Sequence, residues 1–324
     1  MSFLLWAGIG FGISMLTAVP LFGWVKKMGA YSYATARARA MTGKLLDIEE
    51  MERVEKKDMS TWLEKSEYWP ILQSSESREK YEIALEKLEK EKRRKIISFS
   101  PGETKKFLRT IKDLKKKVDK LKMVVNAIEG GEKEMLPALL GSEEFDVERL
   151  MEAEGTEEAV SILQEMREGQ FVSLNGFYSY GLTGVECALD RFFFYELKRS
   201  VSNKECEMVR KIIKKIYIYR TVTRLKMKGY GPREISEMMG IGMRGVVLME
   251  LETLLRETAE EFPLMRESIL EDSPAKIERS FDRLLFEEME KVKHSNQLGF
   301  GPIAEVAFKS SAEIEAARNA WWLR

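Results

Sequence analysis

One helix-forming stretch is written twice in this chain, and that repetition constrains the fold more than any other feature. VECALDRFFFYELKR, starting at Val185, and IERSFDRLLFEEMEK, starting at Ile277, lie 92 residues apart (277 − 185). Glu186, Asp190, Arg191, Phe194 and Glu196 recur as Glu278, Asp282, Arg283, Phe286 and Glu288. The apolar positions recur with them: Leu189 with Phe281, Phe192 with Leu284, Phe193 with Leu285, Leu197 with Met289. A second echo joins EGGEKEM, from Glu129, to GYGPREI, from Gly229, 100 residues on (229 − 129). Each follows an amphipathic stretch, KVDKLKMVVNAI and KIYIYRTVTRLKMK. Glycine in that place is a left-handed helix stop, and the acidic residue after it suits the next helix's first turn. A third such helix, AEIEAARNAWWLR from Ala312, closes the chain. Apolar residues recur at three- and four-residue steps through most of the rest, the helical period. The expectation is an all-α fold of three similar helical lobes, 28–140, 141–240 and 241–324, each of ordinary domain size.

The charge balance narrows the function. The chain carries 53 Lys and Arg against 53 Asp and Glu, a formal net charge of zero. Phosphate binding needs a basic surplus, so nucleic acid is not expected as a partner. Cys187 and Cys206 lie in helix-like stretches with no CxxC pair or Cys/His cluster, so neither a disulfide framework nor a metal site is expected. The one histidine, His294, sits in a charged helix and reads as a solvated surface residue. No P-loop, HExxH or GxSxG motif is present, so no catalytic residue and no cofactor is expected.

No side chain from Met1 to Val25 is charged, and the run Phe3 to Val25 is long enough to span hydrocarbon. Lys26 and Lys27 follow at once, which puts the rest of the chain on the cytoplasmic side of a membrane. Trp6 and Trp24 lie near the two ends, where indoles favour the interface, and Gly8 and Gly12 form a small-xxx-small pair suited to close packing. A signal peptide would carry a basic region first, which is missing. A buried hairpin broken at Pro20 is the other alternative. The sequence reading is therefore an N-terminal transmembrane helix, residues 1–27 with its flank, attached to a helical body.

Two rival readings compete with a plain helical body. PREISEMM, a glycine turn at Gly240 to Gly242, and a second helix from Met243 imitate a helix-turn-helix, which would make the chain a membrane-anchored transcription regulator. That second helix offers mainly Arg244 to a base edge before Val246, Val247, Leu248 and Met249, too apolar for groove reading. The charged stretch from Glu79 to Lys122 invites a coiled-coil scaffold, but sustained heptads are missing and Pro101-Gly102 interrupts it. REKYEIALEKLEKEKRRK, from Arg78, reads instead as an exposed helix with a narrow apolar stripe and a solvated charged face.

YSYATARARAMTGKLL (Tyr31 to Leu46), FSPGETKKFLRTIKDLKKKVDKLKMVVNAI, the two Asp-Arg helices, and LGFGPIAEVAFKSSAEIEAARNAWW from Leu298 occur in a telling order and spacing. Together they resemble the C-type subunit of archaeal A-type ATP synthases, related to the d-type subunit of V-ATPases. The resemblance covers residues 30 to 324. It implies a funnel-shaped, pseudo-threefold, non-catalytic protein seated on the proteolipid (c/K) ring. It also implies a socket for the D and F subunits of the central stalk, and a role in passing torque between ring and ATPase head during ion-driven ATP synthesis. The closing segment is expected as a pair of helices, with Gly301-Pro302-Ile303 before one and Arg318 in the other. The chain ends at Arg324, somewhat early for the family, which implies a short last helix.

An uncharged N-terminal span is not general in that family, so residues 3–25 are expected to add a lipid or ring-lumen contact of this chain's own. The Asp-Arg steps, Asp190-Arg191 and Asp282-Arg283, read as intramolecular pairs that fix lobe geometry; the alternative is that Arg191 or Arg283 faces stalk carboxylates. Arg37 and Arg39 are two apart on a helix and point to different faces, one toward membrane or ring and the other toward the chain's own lobe.

Overall fold

The computed structural model describes residues 25–45, 64–135, 148–241, 245–263, 265–270, 274–295 and 299–319. Every regular element among them is helical. In chain order they are α1 (25–42), α2 (Trp69–Ser74), α3 (Arg78–Phe99), α4 (Gly102–Arg109), α5 (Lys115–Glu129), α6 (Glu148–Met151), α7 (Thr156–Glu165), α8 (Leu174–Arg199), α9 (Lys204–Met227), α10 (Pro232–Met239), α11 (Leu251–Glu261), α12 (Met265–Leu270), α13 (Pro274–Ser295) and α14 (Gly301–Asn319). A π-helical turn, Thr110–Leu114, joins α4 to α5 without a break. None of the described helices is long and apolar enough to cross a membrane. The expected span, with Trp6, Gly8, Gly12 and Trp24, lies outside the described residues; only its last residue, Val25, falls within them.

Local chemistry explains most helix boundaries. Ser77, Ser173 and Asn203 each accept a hydrogen bond from the backbone N–H three residues on, opening α3, α8 and α9. Pro101 separates α3 from α4, as the sequence predicts. The paired glycine stops are real, with a shift in register. Gly131 and Gly229 both take left-handed backbone, φ 70° and 87°. After each, the next residue's N–H returns to a carbonyl five back: Glu132 to Ala127 at 2.8 Å and Tyr230 to Leu225 at 3.1 Å. The structural equivalents are therefore 98 residues apart (229 − 131), not 100. Gly231 instead opens α10, its N–H donating to Glu234 at 2.7 Å.

The duplicated stretch occupies α8 and α13. Val185, Leu189, Phe192 and Leu197 are buried in α8, and their counterparts Ile277, Phe281, Leu284 and Met289 are buried in α13. Four matched positions thus face apolar cores in both helices. The largest core gathers side chains from α1, from α3 through α9, and from α13 and α14. A second lies between α2, α3 and the end of α14, around Tyr68, Tyr81, Leu85 and Ile314. A third joins α8, α9, α10 and α11 around Val222, Leu225 and Ile235, and a fourth joins α9 to α12 and α13 around Ile216 and Phe281.

Two expectations change here. The closing segment is one helix, α14, from Gly301 to Asn319, rather than a pair, and Gly301-Pro302 opens it. Proline is tolerated in a helix's first turn, where its missing N–H has no partner to lose. The helix-turn-helix fails at its second helix: residues 245–247 form a single 3-10 turn, Val247 is fully buried, and the next α-helix waits until Leu251. Met243 lies outside the described residues.

α14 begins hard against the end of α13. A Cβ on Gly301 would lie 2.7 Å from the carbonyl oxygen of Val292 and 2.9 Å from the Cα of Lys293, both backbone atoms that cannot swing aside. Gly301→Ala is expected to cost about 1–3 kcal/mol by overpacking. Thermal unfolding of the variant should show the loss, and an unchanged midpoint would contradict the close approach.

Candidate functional site

α14 carries a stripe of charge that is almost wholly buried. Glu305, Lys309 and Glu313 stand four residues apart, on one helix face, with 1%, 2% and 4% of their surface exposed. Lys293 of α13 reaches Glu305 at 2.9 Å, and Lys309 reaches it at 3.4 Å. At the other end Lys92 of α3 reaches Glu313 at 3.0 Å, and Tyr68 Oη donates to the same carboxylate oxygen at 2.8 Å. Lys92 also donates to Tyr68 Oη at 2.6 Å and lies over its ring. Burial, then the neighbouring Glu313, pushes the Tyr68 phenol far above its usual range. One turn further on, Arg318 Nε donates to Glu82 at 2.8 Å and Tyr81 Oη donates to the Ala317 carbonyl at 2.6 Å. Arg318, a site residue in the sequence reading, is thus held against α3.

The opposite face of α14 meets the π turn. Lys112 donates its Nζ to the Ala307 carbonyl and to Ser311 Oγ, and lies over Phe308. Around it Glu89, Arg93, Ser310 and Ser311 line a cavity of about 10 Å³, room for a single water. Burial drives the Lys112 amine down to about 8, against a smaller raising effect from Glu89. α1 is tied to the same helix pair by Thr35 Oγ1, which donates to the Gly299 carbonyl at 3.4 Å. Phe300 N–H donates to Glu205 of α9 at 2.5 Å.

α5 forms a second hub. Its lysines fan out to three neighbours: Lys120 to Glu86 of α3 at 3.2 Å, Lys117 to Glu168 at 2.8 Å, and Lys122 to Asp190 of α8 at 2.5 Å. The charge run of α3 is therefore only partly a solvated face, because Glu86 and Lys92 point inward.

Asp190 is 3% exposed, and the phenol of half-buried Tyr217, raised by desolvation and by that carboxylate, lies beside it. Its neighbour Arg191 faces elsewhere, with its guanidinium 4.9 Å from the Phe171 ring. It also lies against Gly240, the left-handed C-cap of α10, where a Cβ would come within 2.6 Å of Arg191 Nε. Asp190 and Arg191 thus brace α8 against two different helices rather than pairing with each other. Asp282 and Arg283 sit at the equivalent turn of α13, but their side chains fall outside the described residues. Arg37 and Arg39 are both exposed on α1, Arg37 over the ring of Tyr33. Cys187 and Cys206 are free and buried, each pushed up to about 11 by burial, and His294 is exposed.

Nothing in this arrangement resembles a reactive cleft; among the described residues no cluster of His, Cys, Asp or Glu could hold a metal ion. The polar groups join helix to helix. The sequence matches the family described as ATP synthase (C/AC39) subunit over residues 34–318. The chain belongs to that family. Its members are non-catalytic accessory parts of V/A-type ATP synthases, so this chain is not itself an enzyme. No curated protein matches it. The sequence reading misses the buried stripe of α14, although its spacing, Glu305-Lys309-Glu313, is visible among small and apolar neighbours in a segment otherwise suited to burial.

Two outcomes follow from these contacts. Lys122→Met and Asp190→Asn should each destabilise the fold, Lys122→Met by about 3 kcal/mol because it strands the buried Asp190 carboxylate. The double variant should lose less than the sum, as denaturant titration of all four proteins would show.

For Lys112 the depressed folded pKa means the unfolded chain holds more protons between about pH 8 and the usual lysine range, so stability rises with pH there. Wild type should therefore gain on Lys112→Met by on the order of 1–3 kcal/mol from pH 8 to pH 10. A flat difference would refute the burial of a charged Lys112. The two cysteines act equally in both proteins and cancel in that difference.

Proposed function

We propose that this chain joins the proteolipid (c/K) ring of an A/V-type ATP synthase to the D and F subunits of the central stalk. In this reading it passes torque between the ring and the catalytic head as ions drive ATP synthesis. The observation that carries the reading is the buried ionic seam of α14, which fastens helices from the first hundred residues to the last fifty. A transmitter of rotation must resist shear between its parts, and close-packed cores crossed by directional charge pairs do so. The matched burial of α8 and α13, and the matched glycine stops after α5 and α9, support three lobes, 28–140, 141–240 and 241–324, arranged as a pseudo-threefold funnel.

Residues 3–25 would anchor this collar in the cell membrane or in the ring lumen, with the helical body on the cytoplasmic face. The half-buried Tyr180, Tyr230, Val246 and Met249 pack against the third core, and Leu248, between the last two in sequence, is 54% exposed. This aromatic and aliphatic composition is typical of the centre of a protein interface, and we place a contact with another protein of the rotary complex there.

Affinity purification of the tagged chain from its native membranes tests the reading. Ring and stalk proteins should come with it. Removing residues 1–25 should weaken membrane and ring association, and Leu248→Asp should cut the yield of one of those partners severalfold without unfolding the chain. Recovery of the chain free of every rotary protein would overturn the proposal.

A further inference from the structure

The first acidic residue of this electroneutral chain is Asp47, whereas five cations precede it: Lys26, Lys27, Arg37, Arg39 and Lys44. Two of them stand at the start of α1, and the fold brings three more basic elements to that end. Lys27 pairs with Glu103 at the start of α4 at 3.1 Å. Lys106, one turn along α4, donates to the Arg199 carbonyl at the end of α8 at 3.2 Å. Asn203, the cap of α9, donates to Tyr31 of α1 at 3.1 Å, and Ser202 donates to the Glu103 carbonyl. The start of α1, the start of α4 and the α8–α9 turn thus form one continuous surface.

Lys26, Lys106, Lys198 and Lys204 are exposed on this surface, and none forms an ion pair with a described residue. The nearby acids are occupied: Glu103 by Lys27, Glu205 by the Phe300 N–H, Glu207 by Arg210, and Glu196 by Arg167 and Arg199. The uncharged run of residues 1–25 enters the fold here, directly before Lys26.

We propose that this end of the molecule docks on anionic phospholipid headgroups, through Lys26, Lys106, Lys198 and Lys204. Lipid is the occupant because the cations cluster where an apolar run of membrane length joins the body. A chain of zero net charge has no general attraction for polyanions. Each lysine near an anionic surface strengthens binding roughly fivefold, and salt screens the effect over about 8 Å at physiological strength. The inference stands apart from the rotor reading, since lipid vesicles contain no other protein.

The test is flotation of the full chain with vesicles of pure phosphatidylcholine and of phosphatidylcholine mixed with phosphatidylglycerol. The wild type should favour the anionic vesicles, and added salt should erase the preference. Lys106→Gln, Lys198→Gln and Lys204→Gln should each lower it roughly fivefold. Lys291→Gln, an exposed lysine on α13, should leave it unchanged. Equal binding of the wild type to both vesicles overturns the proposal, as does a preference that survives the triple substitution. Retention on duplex DNA in place of anionic vesicles assigns the patch to nucleic acid and overturns it too.

Discussion

The fold depends on charges placed where water cannot reach them. Glu305, Lys309 and Glu313 are each enclosed to within a few per cent. A carboxylate or ammonium in such a place is tolerable only opposite a partner; Lys293 supplies one from the preceding helix, and Lys92 and Tyr68 supply others from more than 200 residues away in sequence. Ion pairs of this kind add little net stability over well-packed apolar side chains, but they fix register. If α14 slid by one turn along α3 or α13, it would leave a buried charge facing hydrocarbon. The seam therefore selects one arrangement of the helices over nearby ones of similar apolar burial.

The same logic runs through α5 and α8. Lys117, Lys120 and Lys122 each go to a different neighbour, so a single basic helix locates three others at once. On α8, Asp190 and Arg191 are adjacent in sequence and about 100° apart in direction, which lets one turn of helix hold α5 on one side and the cap of α10 on the other. The apolar cores supply the driving force for collapse. The charged contacts decide which collapsed arrangement persists.

What can be read beforehand follows the range of each interaction. Helices, the stop after α5, and three matched core pairs of α8 and α13, Leu189 with Phe281, Phe192 with Leu284 and Leu197 with Met289, are local or periodic signals, and all are legible; the fourth apolar pair differs, Phe193 being buried and Leu285 half-buried. The stop after α9 is misplaced by two residues when the two copies are aligned on their letters, Gly131 with Gly231, because the backbone bends at Gly131 and Gly229. The choice of ion partners is not legible. Lys122 finds Asp190 across 68 residues and Lys92 finds Glu313 across 221, and nothing local selects one of 53 cations for one of 53 anions. The helix-turn-helix imitation fails because Gly240 does end a helix, yet the apolar run after it is drawn into a core as a 3-10 turn. Arg318 looks like an interface residue but is held by Glu82, a contact that only the path of α14 past α3 creates.

The π turn between α4 and α5 has a consequence for heredity. A π turn holds one residue more than an α turn, and one residue of helix is a rotation of about 100°. The π turn therefore absorbs one residue without turning α5 relative to α4. Loss of a single codon in 110–114 would convert it to an α turn and leave Lys117, Lys120 and Lys122 facing Glu168, Glu86 and Asp190. The same loss between Lys115 and Lys117 would swing all three away by about 100°. The gene should tolerate a change in length at this one turn and not in the helix after it.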